Sequence, residues 1–191
     1  GIDDLGLIKF DLLGNGSISV LRDSLGQLEE QGYPDPEVWD VGKCLRDPRV
    51  NAMMKAGGTR GVFYIESPAQ IRLNQRAMAE SFDEIVITSS LIRPAGTAYC
   101  DSFVERHRKM KNGVKDWEFL HPSLEGLLGE THDVCAFQED VIRICHEVAG
   151  LSFKEADRIR KMMNSMKEGD LESGTWARTR QDFIDGCRAN K

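Results

Sequence analysis

The chain reads as a mainly α protein. Three observations lead there. Apolar residues recur at helical spacing in segment after segment, helix start signals of the S-x-x-E and Ser-Pro type are frequent, and only the segment 7–13 alternates as a strand does. At 191 residues there is room for one domain, or one and part of another.

The first segment, Leu7–Leu13, places Ile8, Phe10 and Leu12 on one side and Lys9 and Asp11 on the other, as a strand would. Lys9 and Asp11 admit two readings: a surface ion pair of little energetic consequence, or a metal-binding carboxylate with a lysine near phosphates. On the strand alone the surface pair is favoured. Gly14-Asn15-Gly16 turns the chain into a helix over Ser17–Gln31, striped by Ile18, Leu21, Leu25 and Leu28. A breaker segment at Gly32–Pro36 follows, then short helices over Val38–Leu45 and Pro48–Lys55.

Val62–Ile65 is a short apolar run, expected to be a strand or extended. Ser67-Pro68-Ala69-Gln70 opens a helix to about Ala79, and Ser81–Glu84 opens another to about Leu91. Pro94 ends it and moves Arg93 out of helical geometry. Asp101–Lys111 is a helix rich in base, carrying Arg106, His107, Arg108 and Lys109. A loop, a helix from His121-Pro122 through Leu128 and an irregular stretch lead to the segment Phe137–Lys167. That segment is a pair of helices jointed at Gly150, with Ser152 and Glu155 as a capping box. Lys154, Arg158 and Lys161 line up on one face of its second helix, either as a solvated surface or as a cationic rail awaiting an anion. A last helix is expected over Leu171–Cys187.

Net charge is −6, which excludes a simple polycation. Residues 1–40 hold nine acids and two bases, so the rest of the chain sums to +1, and local basic runs must carry any phosphate binding. Five cysteines without a C-x-x-C spacing argue against a disulfide framework or a zinc site and for reduced, mostly buried thiols in a cytoplasmic protein. No apolar run is long enough for a membrane span, and no signal peptide is recognisable. Since the first residue is Gly1 and not Met, the chain is expected to be a piece of a longer protein. There is no P-loop and no H-x-x-x-H pair. One strand carboxylate, one strand lysine and several helical cations suit magnesium-assisted phosphoryl chemistry, and equally a generic anion-binding helical module.

Several stretches together resemble the bacterial DNA polymerase III alpha subunit, a C-family DNA polymerase. They are Leu7–Gly14 (LIKFDLLG), Gly61–Ser67 (GVFYIES), Ser90–Pro94 (SLIRP), His121-Pro122, Phe137–Val141 (FQEDV), Ala149–Ser152 (AGLS) and Glu155–Met163 (EADRIRKMM). Their order and spacing extend the resemblance over almost the whole chain. It implies that residues 1–14 are the end of a palm domain and 15–191 a helical fingers domain. It further implies that Asp11 is the third catalytic, metal-binding aspartate and Lys9 its phosphate-facing neighbour. Arg93, Arg158, Arg160 and Lys161 are implied near the dNTP phosphates, and Arg106, His107, Arg108 and Lys109 near the DNA backbone. The implied cofactor is a pair of Mg2+ ions. The implied partners are primer–template DNA, dNTP and, through the full-length chain, a sliding clamp and other replisome subunits. The chain alone is expected to be inactive, because the family's other two aspartates are absent. Asn164 and Ser165 depart from the family's glycine and lysine, which suggests a divergent branch, a non-essential or error-prone paralogue. The alternative implied by the same resemblance is a polymerase-derived helical module that binds nucleic acid or protein without catalysis.

Overall fold

Several helices begin where a side chain takes up backbone N–H groups that a helix leaves without partners. The structure, a computed structural model, describes residues 5–7, 10, 12, 14–93, 97–165 and 174–190. Ten helices occur among them: α1 (Gly16–Glu30), α2 (Val41–Leu45), α3 (Pro48–Ala56), α4 (Pro68–Ala77), α5 (Phe82–Leu91), α6 (Thr97–Lys111), α7 (Ser123–Leu128), α8 (Gln138–Glu147), α9 (Phe153–Ser165) and α10 (Gly174–Ala189). The mainly α expectation holds. No strand occurs among the described residues: Leu7, Phe10 and Leu12 carry no regular structure, and Ile8, Lys9, Asp11 and Leu13 lie outside the described set.

The chain divides into two units, Gly1–Asp47 and Pro48–Lys191. In the first, Asn15 caps α1 by accepting the Ser17 N–H at 3.0 Å, and Asp40 caps α2 by accepting that of Lys43 at 2.9 Å. The apolar stripe of α1 forms as the sequence indicates, yet no residue of α1 is buried, and Ile18 stands 54% exposed.

The second unit holds the core. Leu73 and Ala77 of α4, Ile87 and Leu91 of α5 and Cys100, Phe103 and Val104 of α6 pack together with Val134. Met54, Ala79 and Ile85 form a second cluster. Cys145 of α8 with Ala156 and Ile159 of α9 form a third, against which Val141 and Phe183 of α10 pack. A polar clasp ties α4 to α5. Gln70 Nε2 donates to Asn74 Oδ1 (2.9 Å) and to Thr88 Oγ1 (3.1 Å), and Thr88 Oγ1 lies 2.7 Å from Asn74 Oδ1. All three residues are buried.

The capping signals are realised. Ser67 caps α4 with Pro68 in its first turn. Ser81 and Glu84 form the capping box of α5. The Ser152 N–H donates to Glu155 Oε2 at 2.9 Å, and the Glu155 N–H to Ser152 Oγ at 3.3 Å. Gly150 adopts φ +65, the left-handed geometry the joint needs. Two expectations are corrected. Val62–Ile65 is not extended but a run of turns, with φ +80 at Gly61 and +73 at Tyr64 and a hydrogen bond from Ile65 N to Val62 O at 3.3 Å. The thiols, all free, are not mostly buried: Cys100 and Cys145 are, Cys187 is half-buried, and Cys44 and Cys135 are exposed.

α10 closes on the joint between α8 and α9. A Cβ added at Gly186 would fall 2.2 Å from the Ala149 carbonyl oxygen, so only glycine permits this approach. Asn190 then donates through Nδ2 to the carbonyl of Glu147 at 2.9 Å, near the end of α8. Neither contact had a legible signal in the sequence.

Candidate functional site

Two helices carry the expected cations, and helical geometry sorts their side chains. On α9 the residues at positions 154, 158 and 161 share a stripe, and all three are exposed. Lys161 pairs with Asp157 at 2.8 Å. Lys154 and Arg158 have no acidic oxygen within 4 Å among the described residues. Arg160 lies on another side of the helix, where its Nε and Nη2 donate to Asp157 Oδ1 (2.9 and 2.8 Å) and its Nη1 donates to Gln138 Oε1 on α8 at 2.8 Å. Its guanidinium is therefore held in one orientation across the two helices. Lys161 and Arg160 together hold the Asp157 carboxyl below the usual carboxylate range.

On α6 the basic run splits between surface and interior. Arg108 is exposed. Lys109 bridges Glu105 (2.6 Å) and Asp116 (2.9 Å), and these carboxylates raise its pKa. Arg106 is half-buried and donates through Nη1 to the carbonyl of His132 at 2.8 Å, with its guanidinium carbon 5.8 Å from the centre of the Trp117 ring. His107 is buried. It stacks on Phe103, lies 3.1 Å from Glu84 Oε1, and shares a 2.9 Å contact between its Nδ1 and His132 Nε2. Its ring serves the interior of the unit.

Glu84 is the hub of that interior. Its Oε2 accepts the N–H groups of Glu80 (2.7 Å) and Ser81 (3.0 Å), while its Oε1 faces His107 and Lys111 Nζ at 2.9 Å. Burial alone would raise its pKa, but these bonds outweigh it and push the carboxyl well below its ordinary range. Lys111 also donates to the Met78 carbonyl at 2.7 Å and pairs with Glu80, which Lys55 of α3 reaches from the other side at 3.0 Å. His132 is pulled down to about 4, first by burial and then by His107. The Ser81 box marked Glu84 as a cap; nothing in the spacing marked it as the centre of a charged network.

The structure thus brings Arg158 and Lys161 to one surface and keeps Arg160 beside them in a fixed pose. Arg106 and His107 instead join the packed network with Glu84 and His132. Arg93 follows the end of α5 and is exposed. Lys9 and Asp11 lie outside the described residues, as do Pro94 and Ala95. Among the described residues no three or more His, Cys, Asp or Glu side chains converge as a metal site, and no helix is long and apolar enough to cross a membrane.

These features define an all-α module with exposed cations on α6 and α9, among other places, and a core tied by buried polar contacts. The chain belongs to the bacterial DNA polymerase III alpha subunit finger domain family, whose family model matches residues 19–191. It is 34% identical over 172 residues to the DNA polymerase III subunit alpha of Caulobacter vibrioides, covering 90% of this chain and 14% of that protein. The corresponding subunit of Staphylococcus epidermidis is 32% identical over 186 residues, covering 97% and 16%. An error-prone DNA polymerase of Corynebacterium diphtheriae is 32% identical over 185 residues, covering 97% and 17%. The chain therefore spans about one-sixth of the length of the curated relatives it matches.

Proposed function

We propose that this chain is the fingers part of a DNA-directed DNA polymerase, replicative or error-prone, and grips the incoming dNTP and the primer–template. The observation that carries this reading is the family match over residues 19–191. In it, residues 1–14 are the end of the palm and 15–191 the fingers. The exposed cations of α9 support it physically. Arg158 presents an exposed positive charge, Lys161 an exposed one shared with Asp157, and the fixed guanidinium of Arg160 suits contact with phosphate oxygens. Arg93 belongs to the same dNTP-facing set by resemblance. Arg108, exposed on α6, is proposed to meet backbone phosphates, with Lys109 beside it shared between Glu105 and Asp116; such contacts give salt-dependent affinity without reading sequence.

Magnesium supplies Lewis-acid activation of the primer 3′-hydroxyl and charge neutralisation in this chemistry, and Asp11, with Lys9 beside it, is the residue of this chain proposed to ligate it. The described residues alone do not build that centre, and one carboxylate does not organise two ions. The chain by itself is accordingly proposed to be inactive, and the full-length protein to work in the cytoplasm with a sliding clamp and other replisome subunits. The test is primer extension with dNTPs and magnesium. Asp11→Asn in the full-length protein is expected to abolish extension and leave the thermal midpoint in place. Near-normal extension by that variant, or robust extension by the isolated chain, overturns the assignment.

A further inference from the structure

The segment Thr59–Glu66, between α3 and α4, has no role in the reading above. Its base is fixed. Thr59 is fully buried, and its Oγ1 donates to the Ile65 carbonyl at 2.9 Å. Ile65 packs against Met54, Ala79 and Ile85. The Gly61 N–H donates to Glu66 Oε2 at 3.2 Å. Between these anchors the chain makes successive turns, and one of them sets Tyr64, a bulky non-glycine residue, at φ +73. This geometry presents aromatic surface instead of burying it. Phe63 is 64% and Tyr64 59% exposed, with ring centres 6.4 Å apart and planes inclined by 46°. A strained residue held in an anchored turn is a sign of function, and paired exposed rings are a sign of a contact surface.

The charge around the rings indicates what that contact is. Residues 48–77 carry five bases and one acid, of which Lys55 pairs with Glu80 and Arg76 with Asp101 outside that stretch. Arg60 and Arg72 are exposed, without an acidic oxygen within 4 Å among the described residues. The one acid, Glu66, is used on the Gly61 N–H. Exposed aromatic faces in the same loop as an exposed arginine, Arg60, suit a strand of unstacked bases, since every base has a π-face and every phosphate a charge. An apolar protein surface would leave Arg60 without a counter-charge.

We propose that Phe63 and Tyr64 form a stacking platform for the unpaired bases of a single-stranded nucleic acid, with Arg60 and Arg72 serving its phosphates. In the polymerase reading, on which this rests, that strand is the template overhang. The test compares binding of the full-length protein to a primer–template with a 5′ overhang and to the blunt duplex. Fluorescence of 2-aminopurine at the first unpaired template position is read in parallel, and the thermal midpoint of each variant is recorded. Phe63→Leu/Tyr64→Leu is expected to weaken overhang binding by about tenfold or more, to abolish the 2-aminopurine response and to leave blunt-duplex binding within about twofold. Tyr64→Phe, which keeps the ring, is expected to behave as wild type. Should the double variant lose its fold, Phe63→Ala alone, in an exposed position, carries the comparison with a loss of about fivefold. Unchanged overhang binding overturns the platform and leaves the rings to a protein partner, and an equal loss on both DNAs also overturns it. Wild-type protein that binds neither DNA defeats the polymerase reading itself, whereas wild-type binding with indifferent variants defeats only the platform.

Discussion

His107 and His132 face each other with Nδ1 and Nε2 2.9 Å apart, under a shared Phe103 ring. One proton fits between these nitrogens. Burial first, and then the neighbouring His107, disfavour a charge on His132. The ring contact, the bond from Arg106 to the His132 carbonyl and the packing of Phe103 and Val104 with Val134 join α6 to the turn at Thr131–Val134. His132 and Asp133 both sit at positive φ there, +55 and +65, a conformation the buried contacts must hold.

The first prediction follows from that pair. His132 titrates at about 4 in the folded protein, against about 6.5 for an unperturbed histidine. Its neighbours with charge are His107, Arg106 and Glu84, and burial is the largest cause. The unfolded chain therefore binds the extra proton first as pH falls. Stability is complete above about pH 6.5 and declines toward pH 4, by at most about 3 kcal/mol. Urea denaturation of the protein at pH 7, 6 and 5 should show that decline. His132→Asn tolerates the left-handed backbone and does not titrate, so its stability should be nearly flat over the same range, though lower at pH 7. A wild-type curve as flat as the variant's would show that His132 is not the titrating group.

The close approach of α10 gives the second prediction. Because a Cβ at Gly186 would sit 2.2 Å from a backbone oxygen, the collision cannot be relieved by turning a side chain. Gly186→Ala should destabilise the protein by about 1–3 kcal/mol, although alanine is the better helix former by about 1 kcal/mol. Gly174→Ala, which would meet nothing within 4 Å in the same helix, is the control and should be neutral or stabilising. Equal effects from the two substitutions would show that α10 does not dock on the joint as described.

What the sequence disclosed, it disclosed through local chemistry. Ser67, Ser81, Ser152 and Glu155 announce helix starts because capping is decided within one turn. Gly150 announces the joint because left-handed backbone favours glycine. The misreadings arise where distant contacts decide. Val62–Ile65 is a four-residue apolar run, which periodicity cannot assign, and the buried base formed by Thr59 and Ile65 turns it into a loop. His107 lies in a run of bases and was expected at a DNA surface, but Phe103 lies one turn before it on α6, on the face that packs inward. The stripe of α1 predicts a helix and does so correctly, but periodicity carries no information on whether the stripe is covered. Arg160 and Lys161 are equivalent by residue type, and what separates them is Gln138, 22 positions earlier, which accepts from the Arg160 guanidinium.

The clasp of Gln70, Asn74 and Thr88 yields the third prediction. Thr88→Val keeps the shape and removes the oxygen that accepts from Gln70 and contacts Asn74. In a fully buried site this should lower stability by about 1–3 kcal/mol. The Asn74 Nδ2 atom already has no hydrogen-bond partner among the described residues. Replacing the whole clasp with apolar side chains (Gln70→Met, Asn74→Leu, Thr88→Val) should therefore recover much of that loss. A triple variant much less stable than the single one would show that the clasp is worth more than the desolvation it requires.

The last prediction separates the cations of α9 by how they are held, within the polymerase reading. Arg158 is exposed and has no acidic partner among the described residues, so its contribution is that of a mobile charge. Arg158→Ala should weaken primer–template binding modestly, evenly across sequences, and reduce the slope of log affinity against log salt by about one. Arg160 is already oriented by Asp157 and Gln138, so little freedom remains to be lost when it meets a phosphate. Arg160→Ala should lower kcat/KM for dNTP by about 10- to 100-fold, the size expected for a charge-assisted hydrogen bond, while DNA affinity changes little. Gln138→Ala frees the guanidinium without removing it and should reproduce part of the loss in kcat/KM, with the thermal midpoint nearly unchanged. If Arg160→Ala alters only the thermal midpoint, the residue is a brace between α8 and α9, and the phosphate-facing charge of this helix rests on Arg158 and Lys161.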